Sequence, residues 1–270
     1  MKTHIHDLFG YKVETTKGQE PTGDWLSIGY VTGGELTINE NLRRVEAIGG
    51  EIFYYSTLEP EVSVEGYLIP DRVSLILNDL IHDDISLSIV AGSTDFPVKF
   101  LGCLPNEITL EGRVGEPLRF TVSFVAMKAS LLASAPTISV PTANPLLWHD
   151  GSVSVSGGNY QISRFTLRVS RAPRLEADFS PKNEGEKRVR NLYAWGIGEV
   201  ECTLEMFLPY TPDLAADNPA PVDVTIALGS NTLTLNDFFV VSRRTPISGG
   251  EDLWVLTVTL RGKKSNISLT

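Results

Sequence analysis

Apolar and polar residues alternate with a period of two through most of the chain. Leu36-Thr37-Ile38, Val62-Ser63-Val64, Ile85-Ser86-Leu87-Ser88-Ile89, Phe120-Thr121-Val122-Ser123-Phe124, Phe165-Thr166-Leu167-Arg168-Val169, Val222-Asp223-Val224-Thr225-Ile226 and the run Leu253 to Leu260 each place their apolar residues on one face. Such runs predict strands with one buried and one wet face. Gly, at 23 residues, and Pro, at 16, punctuate them as a sandwich or barrel requires. Helical spacing is confined to two places. Val73, Ile76, Leu77, Leu80 and Ile81 predict one helix from about Asp71 to Asp83, and a shorter turn is expected at Pro212 to Asp217.

Three blocks recur in the same order. Ser86-Leu87-Ser88-Ile89-Val90-Ala91-Gly92-Ser93 answers Asp223 to Ser230 at a spacing of 137, the segment from Gly115 to Phe124 answers Gly250 to Thr259 at 135, and Glu61 to Leu68 answers Glu201 to Leu208 at 140. A repeat in order with so little drift points to duplication of one domain. Between the copies, Pro136, Pro141 and Pro145 favour an extended, semi-rigid connector that spaces the halves. The expected fold is mainly β: a first sandwich domain at 1–133, a Pro-rich linker at 134–146 and a second sandwich domain at 147–270, each with at most one short helix.

Charge narrows the function. Lys plus Arg is 23 against 33 for Asp plus Glu, a formal charge of −10, which removes the basic footprint of a nucleic-acid binder. Hydrophobic residues at 42% and charged residues at 21% suit a chain that buries a core. Cys103 and Cys202 show neither Cys-x-x-Cys spacing nor paired His, so buried free thiols are expected rather than a disulfide or zinc site. The first seven residues lack the apolar region of a signal peptide and no 18 apolar residues run together, so a chain kept in the cytoplasm without a membrane anchor is expected.

Candidate chemistry is sparse. His4 and His6 form a His-x-His pair, but on a terminus expected to be solvent-exposed. His82-Asp83-Asp84 closes the predicted helix without metal-ligand spacing. Gly262-Lys263-Lys264-Ser265 follows a strand and lacks both the upstream glycine and the downstream helix of a phosphate-binding loop. Asn266-Ile267-Ser268 fits a glycosylation acceptor only in a secreted chain. No catalytic residue, metal or cofactor is expected, and the protein is not read as an enzyme. Trp25, Trp148, Trp195 and Trp254 would be exposed platforms in an adhesin or carbohydrate-binding tandem sandwich, the alternative from a different functional class.

Three stretches resemble a known family, the tail tube proteins of long-tailed, siphovirus-like bacteriophages. They are Phe9-Gly10-Tyr11-Lys12-Val13-Glu14-Thr15-Thr16-Lys17-Gly18 followed by Trp25 and Gly29, the block Gly102 to Gly112 running into Gly115-Glu116-Pro117-Leu118, and Asp150-Gly151-Ser152-Val153-Ser154-Val155. The resemblance implies a β-sandwich with a flanking helix, whose inner sheets join around a ring, with rings stacking into a DNA conduit in the virion tail after assembly in the host cytoplasm. A duplicated chain would close that ring as a homotrimer with pseudo-sixfold symmetry. The implied partners are the chain itself, tape measure, tail terminator and distal tail proteins, and no membrane; DNA would pass without specific binding. A baseplate hub or distal tail ring protein is the alternative within the same lineage.

Within that ring, the polar strand faces are expected to meet the lumen: Glu35, Thr37, Asn39, Glu61, Ser63 and Glu65 in the first half, and Arg164, Thr166, Arg168, Glu199, Glu201, Thr203 and Glu205 in the second. Their six acidic and two basic residues suggest an acidic wall along which a polyanion slides without sticking. The charged run 180–188 is expected to reach the next ring through Lys182, Asn183, Glu184, Glu186, Lys187 and Arg188, whose mixed signs suit self-complementary stacking.

Overall fold

The alternating segments form strands in the computed structural model, which describes residues 2–4, 8–47, 50–82, 85–156, 160–171, 173–177, 190–193, 198–207, 220–244 and 255–269. The first half contains β1 (Lys2–His4), β2 (Leu8–Val13), β3 (Trp25–Leu26), β4 (Tyr30–Ala47), β5 (Gly50–Tyr67), β6 (Leu87–Gly92), β7 (Pro97–Arg113), β8 (Arg119–Val125) and β9 (Lys128–Leu131). After β10 (Ile138–Ser139) come β11 (Gly151–Val155), β12 (Gln161–Ser170), β13 (Arg174–Ala177), β14 (Arg190–Tyr193), β15 (Glu199–Phe207), β16 (Val222–Leu228), β17 (Asn231–Arg244), β18 (Val255–Lys263) and β19 (Ile267–Leu269).

The predicted helix is present as α1 (Pro70–Ser74) continuing into a π-helix (Leu75–His82). Pro70 stands in the first turn, where its missing N–H costs nothing, and Asp71 complements the positive helix end. The wider π turn brings residues five apart over one another, so Leu75 with Leu80 and Ile76 with Ile81 broaden the apolar face. Val73, Ile76, Leu77, Leu80 and Ile81 are all fully buried. The turn expected at Pro212 to Asp217 lies outside the described residues. Among the described residues, no helix is long and apolar enough to cross a membrane.

One antiparallel sheet runs in the order β1-β4-β5-β8-β7-β12-β15-β18-β17. Two smaller layers pack on it: β2, β6, β7 and β9 with β3 and β10, and β11, β16, β17 and β19. β7 and β17 each serve two layers. Residues 97–103 of β7 pair in the outer layer and residues 104–113 in the large sheet; β17 divides in the same way between Phe238 and Phe239. The strand turns that corner through a left-handed residue, Gly102 at φ 65° in β7 and Asp237 at φ 53° in β17, 135 positions apart.

The pairing pattern itself recurs. β2–β6–β7–β9, β7–β8–β5 and β5–β4 in the first half match β11–β16–β17–β19, β17–β18–β15 and β15–β12 in the second. Three bulges match as well: Leu87/Ile89 with Val222/Val224, Pro105/Glu107 with Val240/Ser242, and Val31/Gly33 with Ile162/Arg164. These bulges hold the 140 spacing of β5 and β15 but move the other two sequence alignments. β6 aligns with β16 at 135 rather than 137, because the turn after β6 is two residues longer than Gly229-Ser230. β8 aligns with β18 at 136 rather than 135, which puts buried Phe120, Val122 and Phe124 on buried Leu256, Val258 and Leu260. A one-residue slip would have turned each of those side chains to the opposite face.

The connector does not hold the halves apart. Ile138-Ser139 pairs in parallel with Trp25-Leu26, the Leu146 N–H donates to the Leu68 carbonyl while its carbonyl accepts from the Leu118 N–H, and the Tyr30 hydroxyl donates to the Pro141 carbonyl. With the connector laid over the first half, β12 pairs along Glu107–Arg113 of β7, and one apolar core cluster extends through both halves.

Candidate functional site

The face of the large sheet turned away from the core carries nearly half of the charged side chains among the described residues. Cross-strand partners share a face, so register alone assembles it. Glu61, Ser63 and Glu65 of β5 stand beside Thr37, Glu35 and Gly33 of β4 and beside Val125, Ser123 and Thr121 of β8, Thr37 and Val125 being buried. Arg164, Thr166 and Arg168 of β12 stand beside Glu205, Thr203 and Glu201 of β15. Glu199 faces Lys263 of β18. Asn39 takes the register position opposite Glu59, beyond the described side chains. The opposite residues, Val62, Val64, Cys202 and Leu204, are buried in the core, as strand alternation requires.

β7 and β18 complete this face with residues not singled out from the sequence. Arg164 bridges Glu111 of β7 at 3.1 Å and Glu205 at 3.6 Å, and Arg168 binds Glu107 at 2.6 Å. Arg261 reaches Glu199 at 3.3 Å and Glu201 at 2.9 Å. Its hydrogen bond to Glu107 holds Arg168 more firmly protonated than a free guanidinium. Glu107-Ile108-Thr109-Leu110-Glu111 shows the alternation of a wet-faced strand, but its neighbours come from β12, more than fifty residues later, and spacing cannot show that.

The completed face alters the charge picture. Among described side chains it holds Glu35, Glu61, Glu65, Glu107, Glu111, Glu199, Glu201 and Glu205 against Arg113, Arg119, Arg164, Arg168, Arg244, Arg261 and Lys263. The net is about −1 rather than the −4 of the sequence-derived set. Around β7, β12, β15 and β18 the face is a lattice of interleaved ion pairs, while Glu35, Glu61 and Glu65 lie on β4 and β5. Glu116, in the turn after β7, adds contacts to Arg113 at 3.4 Å and Arg119 at 3.8 Å.

The other candidates do not converge on chemistry. Lys182, Asn183, Glu184, Glu186, Lys187 and Arg188 lie outside the described residues, as do His6, Asp83, Asp84, Trp195 and Trp254. Among the described residues, no group of three or more His, Cys, Asp or Glu side chains could hold a metal ion. Cys103 and Cys202 are free and fully buried, and burial pushes the Cys202 thiol up to about 12. Trp25 is buried with the Lys12 ammonium 4.4 Å from its ring centre, and Trp148 packs against Phe165, so neither forms an open sugar platform.

One buried carboxylate is structural. Glu14, 8% exposed, accepts hydrogen bonds from the Gly18 N–H at 2.7 Å, the Ser88 hydroxyl at 2.8 Å and the Gly102 N–H at 2.9 Å. It thereby satisfies the bulge at the corner of β7. In the second half Asp223, at the place of Ser88, accepts directly from the Asp237 N–H at 2.9 Å.

Compared with known proteins, residues 82–262, about two-thirds of the chain, match the family model for phage tail tube protein. No curated protein matches the chain.

Proposed function

The chain belongs to the phage tail tube protein family, and we propose that three copies close into a ring, that rings stack into the tail tube, and that the ion-paired face lines the conduit for DNA. It is a structural protein of the virion tail. The observation that carries the ring is the junction already present inside the chain. β7 of the first half pairs with β12 of the second from Glu107↔Ser170 to Arg113↔Arg164. The matched bulges make β17 the counterpart of β7 and β4 the counterpart of β12, so β17 of one copy can meet β4 of the next as β7 meets β12. Repeating that junction pairs the β17 edge of each chain with the β4 edge of the next in a closed sheet of about 24 strands.

The repeated bulges also support two tandem tube domains made by duplication, and hence pseudo-sixfold symmetry from three chains. The charged run 180–188 would reach the neighbouring ring, and tape measure, terminator and distal tail proteins would meet the tube at its core and ends. Assembly would take place in the host cytoplasm. The wall suits passage of a polyanion because Arg164, Arg168 and Arg261 are already bound to glutamates. DNA binding draws its strength from cations that neutralise phosphates, and cations held by carboxylates offer little of it.

Negative-stain microscopy and light scattering of the purified protein test this. Three-chain rings or tubes with an open channel are expected at high concentration or on tube seeds. A strict monomer under both conditions would overturn ring closure.

A further inference from the structure

The two edges on which ring closure depends are not equivalent in the single chain. β17 is open: among the described residues, no strand lies beyond Phe239–Arg244 on the side away from β18. Phe239 and Val241 on this segment are 57% and 50% exposed, and the Arg243 Nε is buried without a hydrogen-bond partner. The β4 edge, by contrast, is covered. β1 pairs antiparallel with it through Lys2↔Thr37, Thr3↔Leu36 and His4↔Glu35.

That cover sits on the junction position. The bulges equate Thr37 of β4 with Arg168 of β12, and Arg244 of β17 with Thr109 of β7. Thr109 pairs with Arg168 inside the chain, so Arg244 of a second copy would pair with Thr37. Lys2 already occupies that place, in the same antiparallel sense. Two strands cannot hydrogen-bond to one edge at one residue.

We propose that β1 is a cover carried by the chain over its own acceptor edge, and that a second copy must displace it before a ring closes. The inference rests on the ring closure proposed above. Exposed sheet edges are sites of uncontrolled pairing, and proteins blunt them with short strands, charges and bulges. Covering one of two complementary edges is enough to keep free subunits apart. The open edge, β17, is blunted instead by its bulge between Val240 and Ser242 and by Arg243 and Arg244. A three-residue cover gives way readily to a longer partner: β7 makes seven cross-strand pairs with β12. The single chain is thus held in an unassembled state that a growing tube end can release.

The paired substitutions Lys2→Cys and Thr37→Cys place two thiols directly opposite each other, at a separation a disulfide can bridge. The native thiols are buried and do not compete. Under oxidation the cover is tied down, and growth from tube seeds is expected to slow at least roughly tenfold, the equivalent of about 1.4 kcal/mol, with recovery on reduction. In parallel, deleting residues 2–6 is expected to shorten the lag of unseeded assembly by a similar factor. Failure of the disulfide to form, equal growth in the oxidised and reduced states, or an unchanged lag after deletion would each overturn the cover while leaving ring closure standing. If the unsubstituted protein forms neither rings nor tubes even on seeds, ring closure falls and the cover with it.

Discussion

Reversing charge on the face proposed to line the conduit tests whether its ion-pair balance matters. Glu61, Glu65, Glu201 and Glu205 stand on the exposed face with their strand neighbours buried. Changing all four to Lys moves the face by eight charges per chain, from about −1 to about +7 among the described side chains, and the proposed ring of three by about 24. Changing them to Gln gives about +3 per chain. Folding should survive. Glu201 and Glu205 lose surface contacts to Arg261 and Arg164, and exposed pairs contribute about 0–1 kcal/mol each. Passage of DNA should not. Each lysine offers a phosphate a free partner, and each such contact steepens the fall of log affinity with log salt by about 0.9. Phage carrying the Lys tube should therefore assemble tails of normal length but eject DNA slowly, with the Gln tube intermediate and the defect fading as salt rises. Ejection triggered in vitro and followed by a DNA-binding dye measures this. Normal ejection by the Lys tube, or a defect indifferent to salt, would refute the mechanism.

Glu14→Ala should destabilise the protein by about 3 kcal/mol in chemical denaturation, because it leaves the Gly102 N–H and the Ser88 hydroxyl buried without an acceptor; a loss below about 1 kcal/mol would show that Glu14 does not hold the corner of β7. Gly102→Ala should be strongly destabilising, since its Cβ would lie 2.5 Å from the Met127 Sδ at φ 65°, whereas Asp237→Gly at the matching corner should stabilise by up to about 1 kcal/mol. Equal effects at the two positions would count against their equivalence. Glu20 bridges Lys12 of β2 and Lys99 of β7, and the hydrogen bond from Lys99 holds its carboxyl below the ordinary value of 4.5. A depressed carboxyl stabilises the fold above that value and ceases to do so as pH falls through its folded pKa. Thermal melts should lose part of their acid sensitivity below pH 4.5 in Glu20→Gln, and an unchanged profile would exclude Glu20 as a contributor.

What could be read from the sequence follows the range of the forces involved. Alternation is a local property, so Val62, Val64, Cys202 and Leu204 could be assigned to the core and their glutamate neighbours to the wet face. Val73 to Ile81 could be placed on a buried helix for the same reason, although the widening to a π turn could not. Register was less accessible. Gly92-Ser93 resembles Gly229-Ser230, yet the turns differ in length, and only the bulge between Leu87 and Ile89 fixes the true alignment. The partners of Arg164 and Arg168 were hidden because Glu111 and Glu107 lie 53 and 61 residues away in sequence. Those glutamates, and the cations Arg113, Arg119, Arg244, Arg261 and Lys263 that long-range pairing brings onto the same face, decide its net charge, so that charge depended on the least local contacts.

The strand that turns the corner at Gly102 has a mechanical consequence. β7 belongs at once to the outer layer, to the large sheet and to the seam with the second half. A load applied along the seam therefore enters the outer layer through peptide bonds rather than through a loop. Neither layer can slide over the other without breaking the 17-residue strand they share. The consequence is cooperativity: the first half and the seam yield together or not at all. In the proposed tube, a load along the seam would then be borne by the first half and the seam as one unit.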